Sequence, residues 1–289
     1  MNTLILSIDD LGIDPILQIT QPGAFGAAWP RRPAGMLALL FQQPSLRTMG
    51  SFAAAACQVG LCPVPLTTTG DALRDQVDFV DEIRQLALIS AAAVVRSKAP
   101  LPRDALQGLP VPVVSAGDGA NEHPTQALVD VAAMRAHGLE HKTVTLMGNL
   151  RDHRVHHSLL RVLQRLGVAV QLLHPPGLAM PERYLRGPVR VFAAASEDDV
   201  DAVLAATDFL YLTPVQYWSA PDQQAGDAFR LDLTRAKRVL RTGAQVFHPF
   251  PRLGELALDL DHSPFDGYHA QTARAPEIRR RLLGLLLAG

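Results

Sequence analysis

Ser45, Arg47 and Thr48 stand in the stretch Pro44-Ser45-Leu46-Arg47-Thr48-Met49-Gly50-Ser51-Phe52, between the apolar run Met36–Phe41 and the apolar segment Phe52–Val59. If the first run is a buried strand and the second a helix, the three residues fall on the helix start. Backbone N–H groups there already favour an anion. Two hydroxyls and a planar guanidinium supply the remaining donors of a phosphate cradle. A capped helix with one solvated arginine would carry the same residues, so the weight falls on what accompanies them. Further along are His123-Pro124-Thr125-Gln126, Arg154, Tyr211-Leu212-Thr213-Pro214-Val215-Gln216 and His248-Pro249-Phe250-Pro251-Arg252. They bring two imidazoles, two amides and two further guanidinium groups.

The elements that must position these residues follow from the apolar patterning. Strands are expected at Met36–Phe41, Cys62–Leu66, Ala91–Val95 and Val111–Val114, with helices over 52–59, 75–90 and from Glu122 to about His137. The prolines of the second strand suit a sheet edge. A second series begins with the strand Thr143–Met147 and a helix Arg154–Leu166 whose apolar residues recur with a spacing of 3.6. Strands at Val168–Leu173, Phe209–Leu212 and Gln245–Phe247 follow. A helix begins at Ser196, where Asp199 completes a capping-box-like start, and a terminal helix covers Pro276–Leu287. Residues 1–35 carry little pattern beyond two short helices, one at Pro15–Leu17 and one at Ala24–Trp29.

Alternation of strands and helices predicts an α/β protein of two doubly wound parallel-sheet domains with a cleft between them. Open parallel sheets bind ligands beyond the carboxyl ends of their strands. Ser45, Arg47, Thr48, Arg96, His123, Gln126, Arg154, Gln216 and the segment from His248 all follow strands directly, which is the arrangement of an active cleft.

Composition excludes several alternatives. The 289 residues are 48% apolar, enough to build sizeable cores, and the net charge of −1 offers no footprint for nucleic acid or an acidic membrane. No apolar run is long enough to cross a bilayer and the N-terminus lacks a secretory pattern, so a cytoplasmic location is expected. Cys57 and Cys62, in apolar surroundings, read as buried thiols. The single Gly148 after the fifth strand does not make a dinucleotide fingerprint. His153 and His157 have i, i+4 spacing without an acidic partner, a poor zinc site. No cofactor is expected.

These motifs, in this order, resemble the aspartate/ornithine carbamoyltransferase family, and most closely its aspartate branch. Ser45-Leu46-Arg47-Thr48 with Phe52 is similar to the family's Ser-Thr-Arg-Thr phosphate motif. Asp118 to Asp130 resembles its His-Pro-x-Gln segment, and Arg154-Val155-His156-His157-Ser158-Leu159 its Arg-x-x-His-Ser-Leu. Tyr211–Gln216 and His248–Arg252 resemble the acceptor-domain motifs. The resemblance runs from about residue 36 to the C-terminus.

It implies a carbamoyl-phosphate-binding domain over 1–136, an amino-acid-binding domain over 137–272, and a C-terminal helix, 273–289, packing back on the first. It implies carbamoyl transfer from carbamoyl phosphate to an amino-acid amine. Ser45, Leu46, Arg47, Thr48, Arg96, His123 and Gln126 would bind carbamoyl phosphate, with His123, Arg47 and Thr48 catalytic. Arg154, Gln216, Pro249 and Phe250 would bind the acceptor, and no metal is implied. The assembly implied is a homotrimer with shared active sites.

Three departures from the family's pattern stand out. Leu46 replaces the first Thr of the phosphate motif, as in the N-acylornithine branches. The family's loop lysine has no counterpart near Thr67–Asp75, where Arg74 is the available cation and no lysine precedes Lys98. Pro214 stands where an arginine would pair with the side-chain carboxylate of aspartate. They favour a carbamoyltransferase whose acceptor is less acidic than aspartate, such as a diamino acid, with aspartate, the nearest family label, as the alternative acceptor. The rival reading is a non-catalytic relative that binds a ligand or partner on the same fold.

Overall fold

The computed structural model describes residues 4–22, 35–67, 78–215 and 223–288. The chain folds as two compact units, Met1–Leu128 with Arg274–Gly289, and Val129–Ala273.

The first unit is built on five parallel strands: β1 (Leu4–Ile5), β2 (Gly35–Phe41), β3 (Leu61–Thr67), β4 (Ala92–Ser97) and β5 (Val113–Asp118), in the order β1-β5-β4-β2-β3. Its helices are α1 (Ile13–Thr20), α2 (Leu46–Gln58), α3 (Phe79–Ile89) and the single turn α4 (Arg103–Leu106). Ala38 and Leu40 of β2 pack in a core with Ile83, Val95 and Val113. Leu37, Leu39 and Phe41, at the alternate positions, are fully buried as well, so β2 is covered on both faces. Pro63 and Pro65 lie in β3, at the edge, where a missing N–H costs no ladder bond.

The second unit has the strands β6 (Thr143–Met147), β7 (Ala169–His174), β8 (Arg190–Ala193), β9 (Phe209–Leu212) and β10 (Gln245–Phe247), all parallel, in the order β10-β9-β6-β7-β8. Helices α6 (Arg154–Arg165), α7 (Glu197–Leu204), α8 (Gln223–Ala228) and α9 (Leu233–Val239) belong to it. Met147, Leu173, Leu210, Leu212 and Val246 form one core with Val200, Leu204, Ala236 and Tyr268. The expected Ser196 cap is present: its hydroxyl accepts from Asp199 N–H at 3.2 Å. Two helices, α5 (Pro124–Ala136) and α10 (Tyr268–Ala288), run through the division between the units.

The α/β class with two parallel sheets matches the patterning, and several details differ. β1 is two residues long and finds its partner in β5, so no local pattern announces it. The Pro15–Leu17 helix extends to Ile13–Thr20, while 24–29 lies outside the described residues. The terminal helix begins at Tyr268, not Pro276, because Asp266 caps it by accepting from His269 N–H at 3.1 Å. Pro276 is carried inside.

Cys57 and Cys62 are exposed free thiols, contrary to expectation. The buried positions of α2 are Thr48, Ser51, Phe52, Ala55 and Ala56, which leaves Cys57 on the outer face. Cys62 sits on the edge strand. No helix of the described residues is long and apolar enough to cross a membrane.

Candidate active site

In the first unit the strand register decides where the sequence motifs meet. Arg96 of β4 lies opposite Phe41, the last residue of β2, and Ser97 lies opposite Asp118 at the end of β5. The stretch from Gln42 to Thr48, Arg96, and the loop that carries His123 therefore leave the same edge of three adjacent strands. Gln42 ties this edge together: its N–H donates to Arg96 O at 2.9 Å. Its side-chain oxygen accepts from Ser97 Oγ at 3.2 Å and Lys98 N–H at 3.1 Å.

Ser45 occupies the N-cap of α2 with an extended backbone, yet its hydroxyl makes no bond to the helix N–H groups. Leu46 is 90% exposed, Arg47 is exposed, and Thr48 is buried. A residue without a sequence-level signal lies beneath them. Arg279 of α10 is 2% exposed, stacks its guanidinium 4.8 Å from the Phe52 ring, and approaches Arg47 O and Thr48 O at 3.4 Å each. A buried cation thus sits under the first turn of α2, adding to the positive end of the helix. Arg96 is half-buried and donates to Ala116 O at 3.0 Å, which holds its guanidinium at the strand ends.

His123 is buried, directly before α5. Its position is fixed by the loop before it. Asp118 accepts from Glu122 N–H at 2.9 Å, Leu101 N–H at 3.1 Å and Asn121 Nδ2 at 3.0 Å. Glu122 in turn accepts from Ser7 Oγ at 2.7 Å and Ile8 N–H at 3.2 Å. Gly119 has φ +57, and a Cβ there would come within 2.9 Å of Lys98 O, so only glycine fits the turn. Thr125 Oγ1 lies 3.5 Å from His123 Nδ1, and Gln126 is half-buried one helical turn from the histidine.

In the second unit Met147 lies opposite Leu212, and Phe247 opposite Tyr211, so the segments after β6, β9 and β10 again share one edge. Gly148 (φ +122) allows β6 to pass β9 closely; a Cβ would stand 2.2 Å from Thr213 O. Asn149 and Asp152 exchange two bonds of 3.0 Å and turn the chain into α6. Arg154, half-buried, is the first residue of that helix.

His156 and His157 each direct one ring nitrogen to a protein partner. His157 Nε2 bonds Leu150 O at 3.0 Å, and its ring stacks on Tyr184 at 4.2 Å. His156 pairs Nε2 with Thr213 Oγ1 at 2.8 Å. Burial, with the His248 ring adding to it, pushes His153 down to about 4, and burial above all keeps His156 well below the ordinary imidazole range.

The segment from His248 is held from two sides. Phe250 N–H donates to His248 Nδ1 at 2.9 Å, which assigns the ring proton to Nε2, facing Glu255 Oε1 at 2.6 Å. Glu255 also accepts from Leu253 N–H at 2.8 Å. His248 N–H donates to Gln271 Oε1 at 2.9 Å, and Gln271 Nε2 donates to Asp130 at 2.6 Å. Asp130 accepts from Tyr211 OH at 2.8 Å as well, joining β9 to the same network. Burial and the Asp130 carboxylate push the Tyr211 phenol far up, so it remains the donor.

Pro249 and Phe250 are half-buried, and Phe250 adopts a left-handed backbone (φ 53). The Arg252 guanidinium lies 5.2 Å from the Phe250 ring and bonds Asp261 at 2.9 Å. Gln216 and Arg74 lie outside the described residues. Pro214 is buried and carries no charge to offer a ligand; its carbonyl accepts from Asn149 N–H at 3.4 Å. Gln42, Arg279, Asp130, Tyr211, Glu255 and Gln271 are the residues that motif reading left without a role.

Known proteins resemble this chain in sequence and in fold. Residues 18–136 match the family model described as aspartate/ornithine carbamoyltransferase, carbamoyl-P binding domain. The chain is 31% identical over 300 residues to an aspartate carbamoyltransferase catalytic subunit of Methanothrix thermoacetophila, covering 98% of this chain and 97% of that protein. It is 33% identical over 264 residues to multifunctional protein pyr-3 of Neurospora crassa, a match that covers 88% of this chain and 14% of that much longer protein. Among solved structures, aspartate transcarbamoylase from Trypanosoma cruzi in complex with carbamoyl aspartate and phosphate superposes with a TM-score of 0.82. Its identity is 26%, and the match covers 97% of this chain and 94% of that one.

Proposed function

The chain belongs to the aspartate/ornithine carbamoyltransferase family, and from that membership we propose that it moves the carbamoyl group of carbamoyl phosphate onto the amine of an amino acid. The observation that carries this reading is the register bringing the Ser45–Thr48 stretch, Arg96 and the His123 loop to one edge of three adjacent strands.

In this reading Ser45, Arg47, Thr48 and Arg96 hold the phosphate, and the buried Arg279 raises the local positive potential. A Thr125 hydroxyl donating to His123 Nδ1 leaves the ring proton on Nε2, directed to the carbamoyl oxygen. The amine lone pair attacks the carbamoyl carbon, and negative charge grows on that oxygen. One such donor is worth about 3 kcal/mol in the transition state. The C–O bond to phosphate then breaks, the electron pair leaves with the phosphate, and the amine proton follows it. Gln126 accepts from the carbamoyl nitrogen. Holding both reactants in line supplies much of the remaining acceleration.

Arg154 would pair with the acceptor's α-carboxylate, with Gln216, Pro249 and Phe250 completing its site. We place the acceptor among amino acids less acidic than aspartate, such as diamino acids, because Pro214 offers no cation for a second carboxylate and no lysine precedes Lys98. Aspartate is the second reading, favoured by the names of the relatives and by a Trypanosoma cruzi structure that holds aspartate and phosphate. A homotrimer with shared active sites, located in the cytoplasm, is proposed by resemblance; sedimentation as a monomer at working concentration would contradict the assembly.

The deciding experiment measures phosphate release from carbamoyl phosphate with a panel of amines. Turnover with a neutral or diamino acid and not with aspartate supports the first reading, and turnover with aspartate the second. No release with any amine, together with no stabilisation by carbamoyl phosphate, would leave a non-catalytic binding protein.

A further inference from the structure

His262, Asp266 and His269 meet where the chain turns into α10. Each offers one ligand atom, and the three atoms lie within 4.8 Å of one another. We propose that they form a binding site for a divalent transition-metal ion of the zinc class. Two imidazoles and one carboxylate suit zinc, nickel, copper or cobalt. Calcium and magnesium, which require oxygen ligands, are poorly served by this set.

The carboxylate is held in place before any ion arrives. Its Oδ1 accepts from His269 N–H at 3.1 Å and caps the helix. Its Oδ2 accepts from His262 N–H at 2.8 Å and faces His269 Nδ1 at 2.7 Å. The backbone around Asp266 is tethered to β10, since Val246 N–H donates to Phe265 O at 2.8 Å and Gly267 N–H to Val246 O at 3.0 Å. His262 adopts a left-handed backbone (φ 61), uncommon for a residue with a side chain. Its ring lies almost parallel to that of His269, with centroids 5.3 Å apart and planes 13° apart. An ion would therefore find its ligands assembled, and the ordering cost of gathering them is largely met by the fold.

The ion takes the place of the proton between His269 Nδ1 and Asp266 Oδ2, and their 2.7 Å separation opens to roughly 3.0–3.4 Å, the spacing of adjacent ligands at bonds of about 2.1 Å. That proton is released to solvent on binding. His262 and His269 are exposed, so a turn of the His262 imidazole about χ2 brings its nitrogen to the third position. Water fills the rest. The His262 N–H stays on the carboxylate as an outer support. The neighbouring Asp261 is engaged by Arg252 at 2.9 Å and Tyr268 OH at 2.7 Å, and is not needed as a ligand. The His269 ring also lies 6.2 Å from that of Phe250. An ion that fixes His269 thereby reaches the segment to which acceptor binding is assigned above, although the site itself stands apart from that assignment.

The test titrates the full-length, tag-free, chelator-treated protein with Zn²⁺ and Ni²⁺ by calorimetry, and with Co²⁺ by visible absorption. One equivalent should bind. His262→Ala and His269→Ala should each weaken binding by about tenfold or more, and Asp266→Asn comparably. The asparagine keeps a good helix cap but gives up one of the two N–H bonds that the carboxylate accepts, so a melting temperature that falls only slightly beside a tenfold loss of binding separates metal ligation from capping. No bound equivalent with metal in large excess would overturn the proposal. So would undiminished binding in the His262→Ala/His269→Ala double variant, which would place the ion elsewhere, for instance on the exposed Cys57 or Cys62. Metal binding is read without turnover, so its failure and a failure of the carbamoyltransferase reading are separate results.

Discussion

The side-chain amide of Gln271 donates to the Asp130 carboxylate at 2.6 Å, joining residues 141 apart in sequence, and both are buried. The same amide's oxygen accepts from His248 N–H, so the two residues set the height at which the His248–Arg252 segment leaves β10. Gln271→Ala leaves a buried N–H and a buried carboxylate each short of one bond. Stability should fall by roughly 2–4 kcal/mol, read as a shift in urea midpoint. If this network positions the acceptor segment, KM for the acceptor rises while carbamoyl phosphate affinity is retained. A change in stability alone would reduce Gln271 to a packing residue.

Arg279 offers a second separation of roles. Arg279→Met keeps much of the side-chain volume over Phe52 and removes the cation beneath Arg47 and Thr48. Carbamoyl phosphate binding should weaken by about tenfold, the order expected for losing 1–2 kcal/mol of charge-assisted contact. Arg47→Ala should abolish it. Equilibrium binding of carbamoyl phosphate, measured without acceptor, checks both, and a normal affinity in Arg47→Ala would mean the cradle is misassigned.

Much of this arrangement was legible because the residues that touch substrate in the proposed reaction directly follow strands, and strands announce themselves by unbroken apolar runs such as Leu37–Phe41. What was not legible depends on contacts between distant parts of the chain. Arg279 reads as one of three consecutive arginines on a helix, and only its burial under Arg47, 232 residues away, distinguishes it. Asp130 sits within a recognisable motif, but its partners Tyr211 and Gln271 share no local pattern with it. β8 escaped for a different reason: three of its four residues are exposed, so it lacks the apolar signature of a central strand. The Cys57 expectation failed because an apolar neighbourhood in sequence spans both faces of a helix.

The buried imidazoles make stability depend on pH. His153 titrates at about 4 in the folded protein against 6.5 when exposed. Between those values the unfolded chain binds more protons than the folded one, so stability rises with pH across that window. The contribution is complete above the unfolded value and is lost as pH falls toward 4. It amounts to roughly 3 kcal/mol for His153, and His156 acts in the same direction. Unfolding midpoints measured from neutral to mildly acidic pH should show the decline, and His153→Gln should flatten it.

Gly148 is the residue on which the approach of β6 to β9 depends. In Gly148→Ala the new Cβ would meet the backbone of Thr213, which has no flexible end to move aside, and the φ of +122 is strained for alanine as well. A loss of about 2–4 kcal/mol is expected. Thr213 also holds His156 and precedes Pro214, so any turnover that survives should show a raised acceptor KM. Gly50→Ala, where a Cβ meets nothing within 4 Å, is the matched control and should be near neutral or slightly stabilising, since alanine is the better helix former.

Pro214→Arg tests the acceptor directly. The main-chain carbonyl that receives Asn149 N–H is retained, so the bond at 3.4 Å does not depend on the proline ring. The new guanidinium would stand where a second carboxylate needs a partner. If the natural acceptor lacks that carboxylate, the variant should gain aspartate-dependent phosphate release, by about tenfold in kcat/KM for one charge-assisted pair. It should lose turnover with the neutral or diamino acid through the introduced charge. If aspartate is already the acceptor, the wild-type protein uses it without an arginine at this position. The added cation would then crowd a working site and lower aspartate turnover. The two readings thus predict opposite signs for one measurement on one variant.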